Sequence, residues 1–315
     1  MGTRVGDTSY DGHCLRMKIM PQRFRIAGLG EILWDVFPDA AHFGGAPANF
    51  SCSAAGVGGD LVDVLMISAV GRDPEGDRAI QELRQRNVDT SFVQRNQYPT
   101  GQVIVQLNER REATYRFLED IAWDHLQYDH ALEELAKSLD AICFGTLGQR
   151  APESEQTVHR LLQATRTDCL KIFDINLRPP YWTPEVIRAS LPLADVLKLN
   201  NDEIRILGSL LELTGTDEDI AQRILEQFPL KWLVLTRGAN GSAIFGKNGE
   251  HSEIAGRPVN VVDTVGAGDA FTAALSIGLL LKRPLSEVHQ RASNVASWTC
   301  TQPGATPLFP ASLRW

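Results

Sequence analysis

Val261-Val-Asp-Thr-Val-Gly-Ala-Gly-Asp-Ala-Phe271 is the stretch of this 315-residue chain whose residue types and spacing could do chemistry. Gly266 and Gly268 flank one alanine, and a helical pattern, Asp269–Leu281, starts directly after them. Glycine permits backbone angles that turn successive N–H groups toward one point. A helix start adds N–H groups without intrahelical partners and a positive partial charge of about half a unit. Together these make a cradle for phosphate oxygens. Asp269 stands in that cradle, where a carboxylate is stabilised as the anion and is expected to be ionised at neutral pH. On this segment alone, helix cap and catalyst weigh equally. A carboxylate aimed into a phosphate cradle repels the phosphate, however, unless it takes the proton from an attacking hydroxyl. The arrangement therefore points to phosphoryl transfer with Asp269 as base.

Two other glycine patterns carry less. Gly28-Leu-Gly30 lacks the third glycine of a dinucleotide fingerprint, which would fall at Leu33. Gly241-Ser-Ala-Ile-Phe-Gly246-Lys247 places Asn248 where a P-loop needs Ser or Thr, and Ala243–Phe245 reads as a strand. The five cysteines are scattered and form no C-x-x-C pair, which argues against structural zinc or a disulfide framework and for small buried thiols in a reducing, cytoplasmic setting.

The elements that must position Asp269 follow from the pattern on either side. From Arg25 onward, short β-like runs alternate with helical patterns, as in a layered α/β fold with a mostly parallel sheet. The β runs are Arg25–Gly30, Val62–Val70, Ala141–Phe144, Lys171–Asp174, Val196–Leu199 and Trp232–Thr236. One section breaks the alternation: Phe92–Val93, Gly101–Leu107 and Ala113–Phe117 succeed one another without a crossover helix and should pair antiparallel. With residues near Asp35–Phe43 they would form a small β flap that excludes water from a site. The last two helices are expected at Asp269–Leu281 and from an N-cap at Ser286. Residues 1–22 read as a leader before a domain spanning 23–315. A net charge of −8 argues against nucleic-acid binding, and no run reaches the roughly 18 apolar residues of a membrane span.

Asp263-Thr-Val-Gly-Ala-Gly-Asp-Ala-Phe271 resembles the C-terminal signature of the ribokinase-like, or PfkB, carbohydrate kinases, and Phe43-Gly-Gly-Ala-Pro-Ala-Asn49 resembles their N-terminal one. The similarity extends from about Phe24 to Pro310. It implies a three-layer α/β/α sandwich with a small β lid, the lid strands drawn from about 35–45 and 91–118. It makes Asp269 the catalytic base and the N–H groups of Gly266, Ala267 and Gly268 the anion hole. On the sugar side it implies Asp35, Gly44, Gly45 and Asn49, with Arg116 on the last lid strand and Arg178 of Asp174-Ile-Asn-Leu-Arg178 as further candidates; Asp174 and Asn176 read as turn formers. On the nucleotide side it implies Lys198, Asn200, Thr236, Gly238, Gly241 and Asn294, with Glu203 holding Mg²⁺ largely through water. Asn49 as a plain helix-face residue, and Asn200 as a plain helix cap, remain alternatives. Asp263, with Gly304 opposite, falls where some relatives hold a monovalent cation such as K⁺.

The implied reaction takes ATP and a sugar. Gly30-Glu-Ile-Leu-Trp-Asp-Val-Phe-Pro38 with the glycine loop is most similar to fructokinases, which make fructose 6-phosphate. The alternative is 2-keto-3-deoxygluconate kinase, for which Arg116 and Arg178 would supply cations to the acid. After the lid strands, Phe117-Leu-Glu-Asp-Ile-Ala-Trp-Asp124 departs from the usual fructokinase run rich in Ser, Ala and Asp, and Trp123 or Tyr115 would shape the pocket differently. A non-catalytic sugar sensor on the same fold is a third reading, disfavoured by Asp269. Pairing of two lids, as in relatives, would make a homodimer.

Overall fold

The computed structural model describes residues 23–107 and 113–315; the expected leader and the polar turn at 108–112 lie outside the described residues. A chain with this alternation folds by stacking its apolar strands in one sheet and covering both faces with amphipathic helices. Strand β1 (Phe24–Leu29) leads into β2 (Leu33–Val36) and β3 (Ala41–Gly44), then helix α1 (Ala46–Gly58). Next come β4 (Val62–Gly71), α2 (Pro74–Gln85), β5 (Val88–Asp89), β6 (Val93–Asn96), β7 (Gly101–Leu107) and β8 (Ala113–Phe117). The second half runs α3 (His130–Ala136), β9 (Ala141–Phe144), α4 (Pro152–Ala164), β10 (Leu170–Asp174), α5 (Pro184–Ser190), β11 (Val196–Asn200), α6 (Asn201–Leu210) and α7 (Asp217–Gln227). Strands β12 (Trp232–Thr236), β13 (Gly241–Gly246) and β14 (His251–Ala255) precede α8 (Ala267–Leu280) and α9 (Leu285–Thr299).

The main sheet has the order β14-β13-β12-β11-β10-β9-β1-β4-β5, with β6 also paired to β4. Among the described residues of this sheet, only the β12–β13 and β13–β14 pairs are antiparallel. One face is covered by α1, α2, α8 and α9, whose Phe50, Leu83, Phe271 and Val295 share an apolar cluster with Ile26 and Val64. The other is covered by α3 to α7 over Phe144 and Phe173. This is a three-layer sandwich, and among the described residues no helix is long and apolar enough to cross a membrane.

The lid is a separate four-stranded sheet, β3-β2-β7-β8. Strands β7 and β8 pair antiparallel and β2 runs parallel to β7. The lid does not include the run near Phe92–Val93: β6 pairs parallel with β4 in the main sheet. A short strand declares its pleat through its own residues, but its partner only through the tertiary fold. The lid is tied to the sandwich by Asp73, which caps α2 at the Gly76 N–H (2.8 Å) and accepts from both the Thr100 N–H (2.8 Å) and its hydroxyl (2.5 Å). Helix α9 begins at Leu285 behind the extended backbone of Pro284, so Ser286 is inside the helix rather than its cap.

Candidate active site

The carboxyl ends of β10, β11 and β12 lie side by side, in register Asp174–Lys198 and Asn200–Thr236. Ligands of open α/β sheets bind at such an edge. The start of α8 packs over it. Gly266 is the residue before that helix, with φ of 77°, and a Cβ there would stand 2.3 Å from the Ala305 carbonyl oxygen. Both facts demand glycine. The Ala267 N–H turns back to the Thr264 carbonyl at 3.3 Å. Of the three donors expected to form the anion hole, Gly266 and Gly268 are therefore the better placed.

Asp269 sits in the first turn of α8 and accepts a hydrogen bond from Asn49 Nδ2 at 3.0 Å. Asn49 lies on α1, so this contact joins the two signature motifs; its Oδ1 is buried without a partner. Burial pushes Asp269 up to about 6, nearby Asp174 adds to the rise, and Lys198, the Asn49 amide and Arg178 oppose it. Stabilisation by the helix start is thus outweighed by loss of water, yet about nine-tenths of the carboxyl is still ionised at pH 7. Because a base must be deprotonated, kcat/KM is expected to fall below about pH 6. Asn49→Ala removes a donor to the anion, so its acid limb should move to higher pH, with activity at pH 7 about tenfold lower. A limb left in place in the pH profile would separate Asn49 from the base.

Lys198 is the centre of the charge balance. Its Nζ contacts both oxygens of Asp174, at 3.0 and 2.9 Å, and lies 3.0 Å from where a Cβ on Gly268 would stand. Burial favours the neutral amine, but Asp174, Glu203 and Asp269 outweigh it and hold Lys198 above its ordinary value. Thr272, one turn into α8, places its hydroxyl 3.1 Å from Asp174 Oδ2. Asp174 is therefore not a turn former, whereas Asn176 is, with φ of 41°. The sequence pattern that contained Asp174 could not show its partner, which comes from the neighbouring strand.

Asp35 and Gly44 face each other across the lid: a Cβ on Gly44 would meet Asp35 Oδ2 at 3.0 Å. Burial raises the Asp35 pKa, opposed by His42 and Arg178. Arg178 is exposed, and its charge acts on Asp35 and Asp269 alike, which places it between lid and base. Gly45, the N-cap of α1, has φ of 107°. Arg116 is not brought to this side. It pairs with Ile104, and Ile104 with Val36, one residue out of phase with the Phe117–Val103–Asp35 row. Side chains alternate along a strand, so Arg116 stands on the face opposite Asp35. Phe117, Val103 and Leu33 instead pack with Trp123 and Leu147 beneath the lid; the Tyr115 side chain lies outside the described residues.

On the nucleotide side Asn200 and Glu203 form a capping box. Asn200 Oδ1 accepts from the Asp202 and Glu203 N–H groups, while Glu203 accepts from the N–H groups of Asn200 and Leu177, both at 2.8 Å. The capping alternative for Asn200 is realised. Gly238, with φ of 54°, is open around its Cα, as a loop approached by a ligand should be, whereas Gly241 is enclosed by Ile254 and Gly256 and serves the hairpin. Thr236 Oγ1 reaches the Leu199 carbonyl at 3.4 Å. Asn294 lies on the exposed face of α9, bonded by Gln290 at 2.9 Å. Asp263 accepts from the N–H groups of Val265 (3.0 Å) and Gly304 (3.1 Å), so its oxygens pin two loops together where a cation was expected. Among the described residues no group of three His, Cys, Asp or Glu side chains could hold a metal.

A family model described as pfkB family carbohydrate kinase matches residues 35–312. The chain is 28% identical over 312 residues to a fructokinase of Escherichia coli, covering 90% of this chain and 95% of that one. It is 31% identical over 265 residues to a fructokinase of Salmonella typhimurium, covering 80% and 83%. Among solved structures, a sugar kinase of Pyrococcus horikoshii in complex with ATP superposes with a TM-score of 0.77 at 27% identity, over 91% of this chain and 96% of that one. A fructokinase of Xylella fastidiosa with bound ATP, 21% identical over 92% and 96% of the two chains, shares the fold with a TM-score of 0.79.

Proposed function

The chain belongs to the pfkB family of carbohydrate kinases, and from that premise we propose that it transfers the γ-phosphoryl group of ATP to fructose, giving fructose 6-phosphate. The observation that carries this reading is the Asn49–Asp269 contact, which sets a base between a glycine-lined helix start and the helix that follows the Gly44–Gly45 loop. A sugar held by Asp35, Gly44 and the free Oδ1 of Asn49 presents a hydroxyl to Asp269. Asp269 takes its proton as the oxygen attacks the γ-phosphorus; the new O–P bond forms while the bond to the β-phosphate oxygen breaks, and ADP leaves. Charge gathering on the transferred group meets the N–H groups of Gly266 and Gly268 and the Lys198 ammonium. The exposed side chains of Val261, Val262 and Val265 beside the glycine loop offer the nucleotide base an apolar surface.

Glu203 is the residue to hold Mg²⁺ on this side. Both of its oxygens already accept backbone N–H groups, which fits a metal that keeps its waters and is carried in by the phosphates. The ion supplies neutralisation of phosphate charge; the chain itself places the alcohol and the base.

Fructose is favoured over 2-keto-3-deoxygluconate by Arg116. The acid reading called on two arginines, and the lid register leaves only Arg178 facing the cleft. ADP release measured with fructose, 2-keto-3-deoxygluconate and ribose should give the highest kcat/KM for fructose. A higher value for the acid would assign Arg178 to its carboxylate and replace the fructose reading.

A further inference from the structure

Glu31 stands just beyond β1, is 3% exposed, and has no part in the reaction as described so far. Its Oε1 accepts from the Ala46 N–H at 3.2 Å, at the first residue of α1. That helix has Gly45 as its N-cap and no capping side chain of its own, so Glu31 supplies the acceptor from across the fold. A Cβ on Gly45 would stand 2.5 Å from the Glu31 carbonyl oxygen, so the glycine loop rests directly on this residue.

The second carboxyl oxygen, Oε2, is buried and has no hydrogen-bond partner. A buried acceptor left unpaired is destabilising, and more so when the group is charged. Glu31 lines a narrow cavity, with room for about one water-sized group such as a single hydroxyl, that mixes the apolar Phe50, Cys143 and Phe144 with Asp174, Asn176 and Asp269. Leu147 lines the same cavity and also packs against Leu33 and Phe117 of the lid, so the cavity lies between the base and the lid. The charges of Asp269 and Arg178 both act on Glu31.

Resting on the sugar-kinase reading, we propose that Glu31 is a further specificity-determining residue. Its Oε1 fixes the Gly44–Ala46 loop, and its Oε2 pairs with a hydroxyl of the acceptor sugar other than the one phosphorylated. Burial pushes Glu31 up to about 7, with Asp269 adding to the rise and the backbone N–H groups and Arg178 opposing it. As the carboxylate, Oε2 accepts from the sugar hydroxyl, a role that an amide nitrogen cannot take. A sugar lacking that hydroxyl leaves the oxygen unpaired, which is how a polar site rejects a deoxy analogue.

Glu31→Gln keeps an acceptor for Ala46 and nearly the same volume while replacing the free oxygen with an amide nitrogen. Kinetics are compared for wild type and variant with fructose and its mono-deoxy analogues. In the variant, KM for fructose should rise about tenfold while KM for ATP stays within about twofold. One mono-deoxy analogue should give equal KM values for both proteins, because the hydroxyl that met Oε2 is already gone. A variant that raises KM for fructose and for every analogue by the same factor shows loop support alone and overturns the proposal, as does an unchanged KM for fructose. Should the variant fold poorly, the rise in wild-type Tm on adding each sugar reads the same contact. One analogue that fails to raise Tm supports it, and equal rises from all of them overturn it. If the substrate screen selects another sugar, that sugar and its mono-deoxy analogues are used, so the substrate reading and the Glu31 contact fail separately.

Discussion

Asp269→Asn is expected to yield a folded, ATP-binding protein whose kcat is lower by about 10²- to 10⁴-fold, the share that a positioned general base contributes. The substitution is close to isosteric, and the asparagine oxygen can still accept from Asn49 Nδ2, so the geometry of the helix start should survive. Removing a negative charge from a phosphate cradle should leave ATP binding as tight as before or tighter. The stability of the variant carries a second signature. The folded-state pKa of about 6 exceeds the ordinary carboxylate value of 3.8, so folding favours the protonated form of Asp269. Whatever stability that group contributes is present in full below the ordinary value and is lost as pH rises through about 6. A neutral asparagine does not suffer that loss, so the variant should melt above wild type at pH 7, with the gap closing as pH falls below about 6. ADP release in a coupled assay, with Tm against pH on the same preparations, reads both effects. Retention of most of the wild-type kcat would remove Asp269 from the role of base. An absence of sugar-stimulated ADP release from both wild type and variant would instead favour the non-catalytic sensor.

What could be read in the chain and what could not divide along a physical line. The Gly266–Asp269 cradle was legible because it is local: glycine angles, a helix start and a carboxylate fall within one turn of contiguous backbone. The main strands were legible because burial on both faces writes itself as short apolar runs. Glu31 and Asp174 were both inside recognised stretches, yet their roles depend on partners distant in the chain, the Ala46 N–H in one case and Lys198 in the other. Nothing in a carboxylate's own neighbourhood says that its partner lies on an adjacent strand. Arg116 and β6 failed for a related reason. The face a lid side chain takes and the sheet a short strand joins are both set by register, which a one-residue slip would invert. Asn200 and Glu203 show the converse: an N-x-x-E spacing at a helix start suits a capping box as well as a water-mediated metal site, and the spacing alone does not separate the two.

The Lys198–Asp174 pair offers the sharpest separation of stability from chemistry. Both side chains are at most 10% exposed, and two contacts of about 3 Å join them. Removing one member of a buried pair strands the other charge, at a cost of about 3–5 kcal/mol. Lys198→Met should therefore lower Tm by roughly 10 °C, given about 2–4 °C per kcal/mol for a domain somewhat smaller than this. Thr272 alone can offer Asp174 only one hydroxyl in compensation. Replacing both partners, as Lys198→Met with Asp174→Leu, removes the stranded charge, and apolar replacements of a buried pair are commonly neutral or stabilising. The double variant should thus recover most of the lost Tm. On the proposed mechanism it should not recover activity, because the ammonium beside Gly268 is there the cation that meets phosphate charge at the helix start. A double variant that regains both Tm and kcat would make the pair a structural feature of the sheet edge and leave the helix start to act without it. Recovery of Tm with kcat still depressed by a hundredfold or so, the size of effect expected from losing one electrostatic donor, would place Lys198 in the chemistry. The stability that Asp174 draws from it would then be a consequence of seating a cation where the sheet ends and the helix begins.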